Sequence, residues 1–178
     1  RSWTYLAYGP FRTLPDYRSW MSASCLGADP LFFAIIDSPG GKAVGVASYL
    51  RIVPASGSIE VGHLHYSPLL QRSAAATEAM YLLMERAFGL GYRRYEWKCD
   101  ALNAPSRRAA GRFGFTYEGT FRQHMIVKGR NRDTAWFAML DSEWPRIRAA
   151  FEAWLDPANF DAAGKQKQSL GALTAAPA

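Results

Sequence analysis

The sequence predicts a mixed α/β domain whose sheet is antiparallel at its start and carries one helical crossover in its middle. Three observations predict it. Residues 31–66 hold three apolar or alternating runs parted by Pro39-Gly40-Gly41 and by Pro54-Ala55-Ser56-Gly57, the pattern of strands joined by hairpins. Residues 74–90 repeat apolar residues at helical spacing between two strand-like runs, the pattern of a crossover. Between them residues 71–79 read Q-R-S-A-A-A-T-E-A, small residues at a strand-to-helix turn.

Each element follows in order. Residues 15–26 suit a short helix with Pro15 near its first turn. Residues 31–37 (L-F-F-A-I-I-D) form a buried strand, 42–53 the next, and 58–66 a third, in which Gly62 signals a bulge or a close backbone approach. In the helix at 74–90 the repeating residues are Ala75, Ala79, Leu82, Leu83, Ala87 and Leu90, and Gly91 stops it. Residues 94–100 alternate in period two and read as a strand. A helix at 104–113 ends at Gly114. Two long strands, 116–128 and 131–140, turn around Gly129. Residues 142–156 form the last helix, with Ser142 as N-cap and Pro145 in its first turn. Beyond Pro157 the composition reads as a loose tail, so the expected division is one domain over 1–156 and a tail over 157–178.

Composition narrows the class. Of 178 residues 49% are hydrophobic, enough to pack a core and to exclude wholesale disorder. No apolar run approaches the roughly 18 residues that span a bilayer. No secretory signal is visible, and a chain starting at Arg1 rather than Met suggests an upstream piece. Two cysteines, Cys25 and Cys99, make no framework and read as buried free thiols of a reducing cytoplasm. The net charge of +6 admits nucleic acid, an acidic membrane face or a phosphorylated small molecule as partner. The positive charge is spread over element ends, and no helix–turn–helix, zinc finger or aromatic–basic sheet signature accompanies it, which counts against nucleic acid.

The stretch at 71–79 carries the first chemical signal. Free N–H groups at a helix start point at whatever sits there, and the helix dipole favours an anion, so the turn is suited to a phosphate. Four segments in order then resemble the GNAT superfamily of acetyl-coenzyme A-dependent N-acetyltransferases, most closely the ribosomal-protein N-terminal acetyltransferase branch. They are I-E-V-G-H-L-H-Y-S-P at 59–68, Q-R-S-A-A-A-T-E-A at 71–79, D-A-L-N-A-P-S-R-R-A-A-G-R-F-G-F at 100–115, and Y-E-G-T-F-R followed by K-G-R-N-R-D-T-A-W within 117–136. The second matches the pattern Q/R-x-x-G-x-G/A with Ala74 in place of the first glycine.

The resemblance implies a GNAT-type sheet, mostly antiparallel with one parallel, splayed strand pair, and helices on both faces. It implies acetyl-CoA as co-substrate. The pantetheine arm would pair with the open backbone of Leu64, His65 and Tyr66 as an added strand. The pyrophosphate would sit on the N–H groups of Gln71, Arg72, Ser73, Ala74, Ala75, Ala76 and Thr77. Asn103 would hydrogen-bond the pantetheine amides, with the N-cap of the following helix as its structural alternative. Many members protonate the leaving thiolate with a Tyr where Ala110 stands here, and Ser106 matches the residue assigned that task in the ribosomal-protein branch. Arg108, with Arg107 and Arg112, would meet the 3′-phosphate. Tyr5, Tyr8 and Phe11 would build an acceptor wall. Members usually carry a strand and helix ahead of the region matching residues 3–11, which this chain is expected to start too late to contain in full.

The base that deprotonates the amine is left between Glu60, working through water, and His63. By strand alternation Val61, His63 and His65 point one way and Glu60 the other, unless Gly62 bulges. The H-x-H pair finds no third ligand nearby, so no metal is expected. The reading these residues support is a cytoplasmic N-acetyltransferase acting by direct attack in a ternary complex. Its acceptor is a protein N-terminus or a small amine, its oligomeric state is open with a homodimer included, and no membrane is involved. The rivals are a non-catalytic acyl-CoA binder and a basic nucleic-acid module.

Overall fold

The computed structural model describes residues 3–175; the outer ends of the expected domain and tail, 1–2 and 176–178, lie outside the described residues. The order is α1 (Leu14–Ser24), β1 (Leu31–Asp37), β2 (Lys42–Val53), β3 (Ser58–Tyr66), α2 (Ala74–Gly89), β4 (Arg94–Asp100), α3 (Ala104–Arg112), β5 (Thr116–Val127), β6 (Arg130–Leu140), α4 (Trp144–Leu155) and α5 (Leu170–Thr174). The strands form one sheet in the order β1-β2-β3-β4-β6-β5. Every neighbouring pair is antiparallel except β3–β4, the two strands that α2 connects. This is the mixed sheet the sequence predicts.

Helices cover both faces. Ile59, Val61, Tyr95, Trp97, Cys99, Phe137 and Met139 face α2, α3 and α4, where Met80, Met84, Ala110, Phe113 and Phe151 complete the main core. On the opposite face α1 packs through Trp20, whose ring meets Phe32 edge-on at 5.8 Å. Helix α1 begins at a capping box, in which Thr13 Oγ1 accepts the Asp16 N–H and Asp16 accepts the Thr13 N–H.

Three expectations change. The buried stripe of α2 is Ala76, Thr77, Met80, Met84 and Ala87, whereas Ala75 and Leu82 are exposed, because the helix turns its N-terminal small residues outward. Helix α4 starts at Trp144 with Glu143 at its cap position rather than Ser142, and no side chain caps it; Glu143 bonds back to the Leu140 N–H instead. The segment read as a loose tail is docked up to Ala175. Leu170 is fully buried, Trp154 Nε1 donates to Gln166 Oε1 at 2.8 Å, Arg146 Nη1 donates to the Thr174 carbonyl at 2.7 Å, and Thr174 Oγ1 donates to the Arg112 carbonyl at 3.1 Å. Its few apolar residues are spaced without period, so burial holds what pattern does not announce.

The paired part of β3–β4 poses an electrostatic problem. Glu60 and Glu96 stand at one register position on neighbouring strands, and like charges so placed repel. Lys98 resolves it: its Nζ lies 2.8 Å from Glu60 Oε2 and 2.8 Å from Glu96 Oε2, and 3.9 Å from the Trp136 ring centre. Arg51 adds a 2.7 Å contact to Glu60, and Arg94 bridges Glu96 and Glu118. The Lys98 and Glu60 side chains are only 7% and 4% exposed, so neither charge has water to fall back on.

Replacing Lys98 by Met should lower the unfolding free energy by about 3 kcal/mol, the scale for leaving buried charges unpaired, as read by urea denaturation. Burial pushes the Glu96 carboxyl up, but its hydrogen bonds to Arg94 and Lys98 outweigh this and hold it below its usual range; the Arg94 bonds lower Glu118 likewise. Both folded values lie below the unfolded ones. Their stabilisation should therefore be complete above the usual carboxylate range and be lost as pH falls through the depressed values. Leu170→Ala should cost about 3 kcal/mol, which a tail with no packing role would not show.

Candidate active site

The parallel pairing runs from Ser58–Arg94 to Val61–Trp97 and stops, although β3 continues to Tyr66 and β4 to Asp100. A gap therefore opens between two strands of one sheet. Its cause lies on the other side of β3. Ser48 pairs with Gly62 but Val46 pairs with His65, so β3 carries one residue more than β2 across this interval. That is a bulge, and it bends the strand away from β4. At Gly62 a Cβ would stand 2.8 Å from Leu50 Cδ2, so a larger residue there would have to displace the Leu50 side chain. His63 takes φ +52°, a left-handed conformation costing about 1–2 kcal/mol for a residue with a side chain.

The bulge also reassigns faces. Gly62 and His65 lie opposite Ser48 and Val46, on the α1 face, while Leu64 packs against the main core and Tyr66 against Val44 and Leu70. His63 turns to the α1 face, with its ring 5.5 Å from Tyr8 and 4.9 Å from Phe32. Plain alternation put the histidines with Val61 and away from Glu60; instead Glu60, His63 and His65 share one face. His63 Nδ1 lies 3.2 Å from Tyr8 Oη. Burial, with Arg51 adding to it, pushes the His63 imidazole below its ordinary value, and burial lowers His65. Burial raises the Tyr8 phenol, which keeps its proton.

The end of β3 is rich in unpartnered polar atoms. His65 Nε2, Tyr66 Oη and Ser67 Oγ are buried without a hydrogen bond, on three consecutive residues. Native interiors leave few such groups, and these three fall on both faces of the strand end.

Beyond it the chain turns into α2. Gln71, Arg72, Ala74 and Ala75 are exposed, and Arg72 takes φ +62°. Several N–H groups of 71–77 are already used: Gln71 bonds the Ser67 carbonyl, Ser73 the Leu70 carbonyl, and Ala76 the Ser73 side chain that caps the helix. Ala76 and Thr77 are buried. Among the described residues the N–H groups of Arg72, Ala74 and Ala75 have no partner, so the open cradle is narrower than 71–77. Arg112 Nη1 donates to Thr77 Oγ1 at 3.2 Å. One helical turn earlier on the same face of α3, Arg108 is exposed and without a partner among the described residues.

On the far side of the gap, Asn103 Oδ1 accepts the Ser106 N–H at 3.3 Å and caps α3, so the structural alternative for this residue is realised; its Nδ2 makes no bond among the described residues. Ser106 Oγ accepts the Trp97 indole N–H at 3.0 Å, which fixes the oxygen and leaves its proton to be shared between the Cys99 sulfur and a ligand. Cys99 is pushed up by burial, and a hydrogen bond with Ser106 offsets part of this.

A strap of residues 3–11 crosses the mouth of the gap on the α1 face. The Trp3 ring stacks on His65 at 3.9 Å, Tyr5 Oη donates to the Leu102 carbonyl at 3.1 Å, and Lys128 Nζ donates to the Trp3 carbonyl at 2.9 Å. Pattern reading missed this strap's ties and the charge network at the root of the gap, because both join residues far apart in sequence. Among the described residues no cluster of three or more His, Cys, Asp or Glu could hold a metal, and no helix is long and apolar enough to cross a membrane. A depression of about 780 Å³ lies outside the gap, at the irregular part of β5–β6, lined by Phe121, Arg122, Gln123, His124, Asn131 and Asp133.

Residues 1–116 match the family model described as an acetyltransferase (GNAT) domain. A GCN5-related N-acetyltransferase from Brucella melitensis is similar with 53% identity and a TM-score of 0.95, covering 97% of this chain and 79% of that one. A GNAT-family protein from Chromobacterium violaceum ATCC 12472 is similar with 46% identity and a TM-score of 0.78, covering 81% of this chain and 73% of that one. A variant of the spermidine N-acetyltransferase SpeG from Vibrio cholerae shares the fold, at 16% identity and a TM-score of 0.62, covering 79% of this chain and 83% of that one. A search of the curated proteins finds no match.

The depressed imidazole gives a direct test. An NMR titration should find His63 half-protonated below pH 6.5, and Arg51→Leu should move that midpoint upward by removing a like charge. Between the depressed value and 6.5 the unfolded chain binds the proton better, so this group's contribution to stability should fall as pH drops through that window.

Proposed function

Because this chain belongs to the GNAT acetyltransferase superfamily, we propose that it transfers the acetyl group of acetyl-CoA to a primary amine, by direct attack while both substrates are bound. The observation that carries the reading is the gap: a strand edge left open beyond Val61–Trp97, ending in a helix start with free N–H groups. Pantetheine is an extended chain bearing two amides, and the open edge at Leu64, His65 and Tyr66 is suited to pair with it as one more strand. The pyrophosphate then falls on the N–H groups of Arg72, Ala74 and Ala75, with Gln71, Ser73, Ala76 and Thr77 shaping the turn. Arg108 is free for the 3′-phosphate, and the Asn103 Nδ2 for a pantetheine carbonyl.

The chemistry asks little of side chains. Holding amine and thioester together supplies several kcal/mol of the barrier. Ser106, oriented by Trp97, donates to the negative charge that builds on the departing sulfur. For the base, the geometry favours His63 over Glu60. Glu60 Oε2 is already occupied by Lys98 Nζ at 2.8 Å and Arg51 Nη1 at 2.7 Å, so it is not free to receive a proton from a bound amine. His63 is kept neutral by burial and sits on the same face at the bend of the strand. The acceptor is a protein N-terminus, as in the ribosomal-protein branch, or a small amine.

Acetyl-CoA should raise the melting temperature and release heat on titration. Ala75→Asp should abolish both without unfolding the protein, since an acid suits a helix start but repels a pyrophosphate. In a thiol-release assay with an amine panel, Ser106→Ala should lower kcat about 100-fold with the acetyl-CoA KM unchanged. Unaltered kcat would remove Ser106 from the mechanism, and absence of any acetyl-CoA binding would remove the reading.

A further inference from the structure

The α1 face beside the gap has a one-sided chemistry. Lys98 pairs with Trp136 and Asp100 with Thr134 across β4–β6, and partners in an antiparallel pair share a face. Two residues further along β6, Arg132 continues the same face. From β5, His124 Nδ1 meets Thr134 Oγ1 at 2.9 Å and the Phe121 ring lies 4.6 Å from Trp136. These side chains line one face of the sheet from the gap toward the strap tied to Lys128, and Phe121 and His124 at its far end also line the depression at β5–β6; this stretch forms the trough.

Every carboxylate bordering the trough is engaged. Glu60 and Glu96 hold Lys98, Arg51 and Arg94, and Asp100 Oδ1 accepts the Leu102 N–H. Asp133, at the same strands, holds the Gln123 N–H and Asn131. Arg130 and Arg132 make no ion pair among the described residues, and Arg122 has only the Asp133 carboxylate near it, without a direct ion pair. Arg132 Nε and Trp136 Nε1 are buried donors with no acceptor. Buried donors without acceptors, set among unneutralised guanidinium groups, call for anionic oxygen.

Resting on the acetyl-transfer reading, we infer that the acceptor of this enzyme carries a carboxylate or phosphate near its amine, and that Arg132, helped by Arg122, binds that group in the trough. Arg132 stands two residues, about 7 Å, beyond the level at which β4 ends. The same cations repel a polyamine, and by disfavouring a second positive charge they favour the neutral amine that attacks.

The test compares kcat/KM for four acceptors: the peptide Ser-Asp-Glu-Ala amide, its neutral counterpart Ser-Asn-Gln-Ala amide, free aspartate and spermidine. The acidic peptide should exceed the neutral one at least tenfold, with the advantage shrinking in 0.5 M salt, and spermidine should be the poorest. Arg132→Gln should raise the acidic peptide's KM and leave the kcat of the neutral peptide unchanged. Arg122→Gln, at an exposed position where folding is not at stake, should shift the ratio the same way by less. Aspartate used as well as the acidic peptide identifies a small acceptor, and aspartate rejected identifies a peptide; both uphold the shared chemistry. Equal or better use of the neutral peptide or spermidine, or a preference that survives both substitutions, overturns this inference alone. No thiol release from any acceptor overturns the acetyl-transfer reading and this inference with it.

Discussion

One extra residue in β3 sets the architecture of the site. Had Gly62 to Tyr66 kept register with β2, the strand would run on beside β4, and Leu64–Tyr66 would spend their backbone bonds inside the sheet. The bulge removes that option. It costs a left-handed His63 and sets Gly62 against Leu50. In exchange the sheet holds an open edge in its middle, where edges are otherwise confined to its borders. The same residue brings His63 and His65 to the face of Glu60, so the open edge and the titratable groups arise from one irregularity.

Charge fixes where the opening begins. Below the bulge, Glu60 and Glu96 face each other and are drawn together by Lys98, so the strands are clamped up to Val61–Trp97 and free above it. A clamp of this kind stabilises little compared with a well-packed apolar pair, but removing one member is costly. It therefore specifies position more than it adds stability. It also occupies the one buried carboxylate of β3 with two cations.

Much of this was legible in the sequence. Strand limits at 31–37, 42–53, 58–66 and 94–100 agree with the structure residue for residue, because alternation and Pro/Gly turns are local signals. The strand-to-helix turn at 71–79 was legible for the same reason. Gly62 signalled a bulge, but not that His63, Arg51 and Gln123 would take positive φ, since nothing in those side chains announces it. The cap of α4 slipped one residue because Glu143 serves the Leu140 N–H instead of the helix. The docking of Leu170 and Thr174, the strap over the gap and the Lys98 clamp were not legible: each is a contact between distant segments, decided by packing and charge rather than by period.

The central claim is that the open edge of β3 is a binding surface for an extended cofactor. Amide hydrogen exchange of Leu64 and Tyr66, whose backbone points away from β2, with and without saturating acetyl-CoA, tests it most directly. If pantetheine pairs with this edge, exchange at those two residues slows together with that of Ala74 and Ala75 at the helix start. If acetyl-CoA binds and the Leu64 and Tyr66 amides exchange as fast as before, the cofactor lies elsewhere and the account of the gap is wrong.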